Sequence, residues 1–228
     1  MTQLFFSDYD IEPADTRPPL VIFGAGGLGR EVLLLIQQLN EAAQVSWQVR
    51  GFYDDQTPAS PTVAGLPYLG SGADLNATAE ALAVAVAVGS STGRAAVVAR
   101  LTSARLSFPS LVHPGVALHP RQRIALGAGC IIQQSCVLTC DITLGRFVLL
   151  NLGCTVGHDA ELADFCSLMP HANVSGAARL GTGVYLGTNA TVIQGVRVGD
   201  NTIVGAGAVA VRDLPADVTA VGMPARAI

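Results

Sequence analysis

From Leu126 to Val204 an aliphatic residue returns at every sixth position without a miss, fourteen times over. Read in sixes, the stretch opens LGAGCI, IQQSCV, LTCDIT and closes VIQGVR, VGDNTI, VGAGAV. The fifth position of each hexad is small or β-branched, from Cys130 and Cys136 through Ala172 and Ala178 to Thr202 and Ala208. A helix repeats every ~3.6 residues and a simple strand about every 2, so neither can hold this pattern over about eighty residues. A six-residue repeat marks a parallel β-helix, in which three hexads make one triangular coil and coils stack at roughly 4.8 Å. Positions one and five then point inward, and the other four turn or face out. A single coil cannot bury its inner face, whereas stacked coils share one continuous core.

Composition narrows the remaining choices. Half of the 228 residues are hydrophobic and only 13% are charged. No run approaches the ~18 uninterrupted apolar residues of a membrane span. The apolar surplus therefore implies a solenoid core together with an oligomer interface. No cationic segment followed by an apolar one marks a signal peptide. A net charge of −4 argues against nucleic acid or an anionic membrane as partner. Of five cysteines, Cys130, Cys136, Cys154 and Cys166 occupy inward position five and read as core fillers. Cys140 stands at position three. A disulfide or metal framework is not expected, which suits a reducing cytoplasm.

The N-terminal part has a different grammar. Residues 1–19 read as a polar tail, or a peripheral strand, ending in Arg17-Pro18-Pro19. Residues 20–109 read as a Rossmann-like α/β domain, with strands predicted over 20–23, up to 55 and over 82–88, and helices over 30–39 and 92–102. Residues 110–228 form the all-β part with a C-terminal extension. Gly24-Ala25-Gly26-Gly27-Leu28-Gly29 matches G-x-G-x-x-G between strand and helix, and Asp54 and Asp55 end the next strand, where a carboxylate can hold ribose hydroxyls. Glycines there let a phosphate approach a helix N-terminus. The same run also suits a tight turn that binds nothing. The length leaves room for one mononucleotide-binding half, so a nucleotide-linked sugar is a better expectation than NAD.

Among four histidines, His113 and His119 each precede proline and read as rim or turn residues. His158 stands at outward position three of VGHDAE, directly before Asp159, where a carboxylate can support a general base. His171 follows Pro170 and reads mainly as a turn residue. The four are spread without the convergence that a zinc site needs, so no metal is expected.

Taken together, the hexads, His158-Asp159, the glycine turn, Gly51-Phe52-Tyr53-Asp54-Asp55 and the closing Val221-Gly222-Met223-Pro224-Ala225-Arg226 resemble the bacterial sugar acetyltransferases of the sialic-acid O-acetyltransferase type. That family includes N-acetyltransferases acting on nucleotide-linked amino sugars. The resemblance implies a left-handed β-helix, a homotrimer and acetyl-CoA in the groove between adjacent helices. It implies that His158 is the general base, Asp159 its supporting carboxylate and Gly176 the N–H donor to the thioester carbonyl. It further places Ser167, Gly176, Thr188 and Ala206 along the coenzyme, and Gly26, Gly27, Asp54, Asp55 and Gly89 around the sugar nucleotide. Two positions depart from the family pattern: Leu28 stands where members often carry a histidine in the glycine turn, and Ser167 where some carry one against the coenzyme. Two rival readings remain open at this level, a trimeric scaffold with a regulatory nucleotide-binding domain and O-acetylation of a free sugar or small alcohol.

Overall fold

The computed structural model describes residues 17–42 and 46–228. The expected tail therefore lies, up to residue 16, outside the described residues.

An open sheet comes first. Strands β1 (Pro19–Phe23), β2 (Gln48–Tyr53), β3 (Thr62–Val63), β4 (Leu66–Gly70), β5 (Leu82–Val86) and β6 (Leu106–Ser107) take the order β3-β4-β2-β1-β5-β6. All neighbours run parallel except the β3–β4 hairpin. Helices α1 (Gly27–Glu41), α2 (Gly72–Asn76) and α3 (Ser91–Arg100) complete the domain. β1 and β5 are apolar and buried along their length, as strands covered on both faces must be. The sheet is wider than the single half expected from its length, because β4 and β6 extend it on either side. α1 also begins three residues before the expected Arg30, so the last glycines of the run lie inside its first turn.

The chain next enters a left-handed parallel β-helix. Its two-residue strands pair with the strand eighteen residues on, as in Leu149 with Ser167, Thr155 with Asn173 and Glu161 with Arg179. The register slips only at the ends, where Leu111 pairs with Ile131 and Ile203 with Thr219. Position-one and position-five side chains fill the core as the period requires, with Leu144, Leu168, Ala172 and Val192 at most 1% exposed. Position four of all fourteen hexads takes a left-handed backbone, with φ between 54° and 73°, and nine of those residues are not glycine. This is the corner at which each side of the triangle bends into the next. A side chain at that position costs backbone energy singly, and the hydrogen-bonded ladder on either side holds it there.

The prism thus has three faces. An eight-stranded face, which begins at β7 (Leu111–Val112), carries the N-terminal domain, and Leu111, Ile131 and Leu149 join that domain's core against α1. A second face presents Val137, Thr155, Asn173, Ile193 and Val211 and carries no charge; a third presents Glu161, Arg179 and Arg197. The corner holding Phe147 and Phe165 lies under the N-terminal domain, with their rings stacked at 5.4 Å and Phe108 edge-on at 5.2 Å. Side chains that face out of the coil are there covered by the second domain.

Candidate active site

His158 and Asp159 occupy the corner between the uncharged face and the Arg179 face, opposite the face that carries the N-terminal domain. As its position in the hexad requires, the His158 side chain is outside the core, 54% exposed. Its Nδ1 lies 2.8 Å from Asp159 Oδ2. A carboxylate there takes the Nδ1–H tautomer, so Nε2 is left as the accepting nitrogen. Asp159 sits at the left-handed position four, with φ 60°, and that bend turns its carboxylate back onto its neighbour's ring.

One coil further on, the same corner carries Gly176. A Cβ built on Gly176 would lie 2.5 Å from His158 Nε2 and 2.6 Å from Cε1, so any side chain there would push the imidazole off this position. The Gly176 N–H donates to no acceptor among the described residues. At the Phe147 corner the corresponding N–H groups of Arg146 and Thr182 are taken by Asp164 and Asp200 of the next coil, at 2.7 Å each. Gly176 is thus a buried donor next to an accepting nitrogen, which is the geometry a developing oxyanion and a proton require.

The expected coenzyme residues are not all brought here. Thr188 and Ala206 are exposed and stacked one coil apart, but on the corner of His171, across the uncharged face from His158. The expectation for Ser167 is corrected: it is 0% exposed, and its hydroxyl donates to Gly89 O at 2.9 Å while accepting from Arg94 and Ser91. Position six faces out of a bare coil, yet on this face the N-terminal domain covers it. His171 lies over Gly153, away from His158. His119 caps a short 3-10 turn, Pro120–Gln122, and His113 opens a turn of its own, its carbonyl accepting the Val116 N–H at 2.8 Å and its Nδ1 the Gly115 N–H at 2.9 Å, although it is buried. Burial holds the His113 imidazole below its ordinary value and pushes the Cys166 thiol up to about 12. That leaves Cys166 inert as a nucleophile. Along the Arg179 face runs a cavity of about 660 Å³ floored by Gly145, Gly181 and Gly199.

A second cavity, of about 530 Å³, opens at the carboxyl ends of β1, β2 and β5, where the strand order reverses. Open parallel sheets take ligands at such a switch point. Gly26, Gly27, Asp54, Asp55 and Gly89 all line it. Its glycines divide into two kinds. A Cβ on Gly24 would meet Ala87 O at 2.5 Å and one on Gly29 would meet Gly24 O at 1.9 Å, so these hold strand and helix together. Gly26 and Gly27 meet nothing within 4 Å and face the open cavity. The two carboxylates already have protein donors: Asp54 accepts from the N–H groups of Ala25 (2.7 Å) and Gln56 (2.8 Å), and Asp55 from Gly72 N–H (3.0 Å) and Arg100 (2.6 Å). Asp54 therefore shapes the glycine turn as well as lining the cavity. No helix among the described residues is long and apolar enough to cross a membrane, and no group of three His, Cys, Asp or Glu among them is placed to hold a metal ion.

Comparison with known proteins fits both halves. Residues 19–101 match the PglD N-terminal domain, and residues 177–210 match the bacterial transferase hexapeptide repeat. No curated protein matched the sequence. Among solved structures, PerB from Caulobacter crescentus, in complex with CoA and GDP-perosamine, is 31% identical over 94% of this chain and 98% of its own, with a TM-score of 0.81. The acetyltransferase domain of PglB from Neisseria gonorrhoeae, in complex with acetyl coenzyme A, is 30% identical over 93% of this chain and 100% of its own, with a TM-score of 0.81. WeeI from Acinetobacter baumannii is 28% identical over 92% of this chain and 100% of its own, again with a TM-score of 0.81. Matched along nearly its whole length by PerB and by the acetyltransferase domain of PglB, the chain belongs to the left-handed β-helix sugar acetyltransferases with a PglD-type N-terminal domain, and it is an acyltransferase.

Proposed function

We propose that the protein moves the acetyl group of acetyl-CoA onto an amino or hydroxyl group of a nucleotide-linked sugar, by direct transfer and with His158 as general base. The observation that carries this reading is the pairing at one corner of an accepting His158 Nε2 with the unengaged N–H of Gly176. His158 Nε2 takes the proton of the acceptor as its nitrogen or oxygen attacks the thioester carbonyl. The new C–N or C–O bond forms first, the C–S bond of the resulting oxyanion then breaks, and the leaving thiolate takes the acceptor's proton from His158. Gly176 N–H donates to the oxyanion, and Asp159 keeps the imidazole in the working tautomer. Thiolate is a good leaving group, so positioning and one base suffice without a covalent enzyme intermediate.

The acceptor is held, in this reading, at the switch-point cavity, with Gly26, Gly27 and Gly89 lining the phosphate approach and Asp54 and Asp55 beside the ribose. The neighbours' bound ligands support the class: GDP-perosamine in one, CoA or acetyl coenzyme A in two. In one chain, however, the cavity and His158 are separated by the thickness of the β-helix. A homotrimer removes that separation by bringing the His158 corner of one copy beside another copy's N-terminal domain. It also lets Thr188 and Ala206 of one copy share a coenzyme with Gly176 of the next. The uncharged face, with Val137 56%, Ile193 36% and Val211 37% exposed, is the surface such an assembly would cover. The test is release of CoA from acetyl-CoA against a panel of nucleotide-linked amino sugars and free sugars. Acceptor-dependent release with the nucleotide-linked members is expected; release with free sugars alone would overturn the acceptor assignment, and none with any acceptor would overturn the reaction.

A further inference from the structure

Arg94, in α3, takes no part in the chemistry above, yet it is the largest of the side chains buried to under 2% exposure. Its Nε donates to Phe147 O at 2.9 Å. One terminal nitrogen donates to Val88 O at 2.6 Å and Gly89 O at 3.4 Å. The other reaches Phe165 O and Cys166 O at 3.0 Å and Ser167 Oγ at 2.8 Å. No carboxylate is among these partners. Burial lowers the guanidinium to about 10, so it stays charged at neutral pH. A buried cation without a counter-ion is costly, and only complete satisfaction of its N–H groups makes it tolerable.

The partners stand on two sides of a seam. Val88 and Gly89 line the switch-point cavity, whereas Phe147, Phe165, Cys166 and Ser167 belong to two successive coils of the β-helix. Ser167 closes the loop by donating to Gly89 O and accepting from Ser91 of the same helix. An apolar side chain would dock two surfaces without the desolvation cost, but would not select one orientation as a five-donor fork does. We propose that Arg94 is a positioning residue for the acceptor: it clamps the Val88–Gly89 edge of the cavity to the β-helix, so that the bound sugar is held at a fixed distance from the coils. This rests on the acceptor placement proposed above.

The test is steady-state kinetics of Arg94→Lys and Ser167→Ala in the full chain, with a nucleotide-linked amino sugar and with a small free amino sugar as acceptors. Arg94→Lys should raise the KM for the nucleotide-linked acceptor by about tenfold or more, with the KM for acetyl-CoA and the rate with the free sugar within about twofold. Ser167→Ala should shift the same constant the same way by about threefold, and it decides alone if the lysine variant does not assemble. An unchanged acceptor KM, or equal losses with both substrates and both acceptors, would overturn the clamp. Should the wild type accept no nucleotide-linked sugar, the functional reading fails separately, and amide exchange over residues 86–93 then judges the clamp. Faster exchange in the variants supports it and unchanged exchange overturns it.

Discussion

The β-helix and the N-terminal domain are built on opposite rules. In the β-helix each residue's place in its hexad dictates whether it is buried, bent or free, and the core needs only positions one and five. Chemistry can therefore be carried at position three, as we propose for His158 and Gly176, without disturbing the fold. In the N-terminal domain no period separates structure from function. Gly24 and Gly29 are needed for close packing while Gly26 and Gly27 of the same run are free to face a ligand, and Asp54 both shapes the turn and lines the cavity. Changes to the coil corner should thus alter the rate of transfer, and changes to the sheet edge should alter which acceptor is held.

The largest expected effect breaks the chemistry alone. His158→Ala should lower turnover by about 10²–10⁴-fold with acetyl-CoA affinity within a few-fold, since the side chain lies outside the core. Acceptor-dependent CoA release measures it, and light scattering checks that the assembly is unchanged. Leu168→Ala attacks the coil where it is structural, at a position 0% exposed. It should lower unfolding stability by about 2–5 kcal/mol in a denaturant titration. Gly27→Val sharpens the contrast from the other side. Its side chain would enter open cavity without a clash, so acceptor KM should rise by about tenfold or more while acetyl-CoA KM and melting temperature hold. Equal loss of both affinities would mean a damaged domain. The smallest effect is Asp159→Asn, which keeps the base but loses the partner that orients it, for a loss of about tenfold in turnover.

Legibility in the sequence followed the same divide. The period alone located the inner positions across fourteen hexads, because a stacked core tolerates no exception. It also marked His158 as outward, because position three never points inward. What it could not convey is what lies beyond an outward position. Ser167 and Phe147 face out of their coils, yet the N-terminal domain covers both, and that docking depends on contacts more than fifty residues apart in sequence, such as Arg94 to Phe147. Arg94 itself gave no signal, being one arginine in an ordinary helix. In the sheet domain the strand and glycine turn were readable from local pattern. The β3–β4 hairpin and the short α2 were not, for their strands of two and five residues carry too little alternation. The Gly176 donor was expected only through family resemblance; the closeness of its backbone to the His158 imidazole in this position needed the stacked coils.

The central claim is that acetyl transfer occurs at a site made by two copies, one supplying His158 and another the sugar-nucleotide cavity. Subunit mixing tests it most directly. His158→Ala chains, nearly inactive, and Gly27→Val chains, with about a tenth of wild-type activity or less when acceptor is well below the wild-type KM, are unfolded together, reassembled at equal concentration and assayed for CoA release at that acceptor concentration with a nucleotide-linked amino sugar. Random assembly should restore about a quarter of wild-type activity, the chance that an intact His158 meets an intact cavity across an interface. Activity no greater than the average of the two parents, from mixed assemblies of the wild-type size, would show that each chain works with its own cavity and would contradict the account.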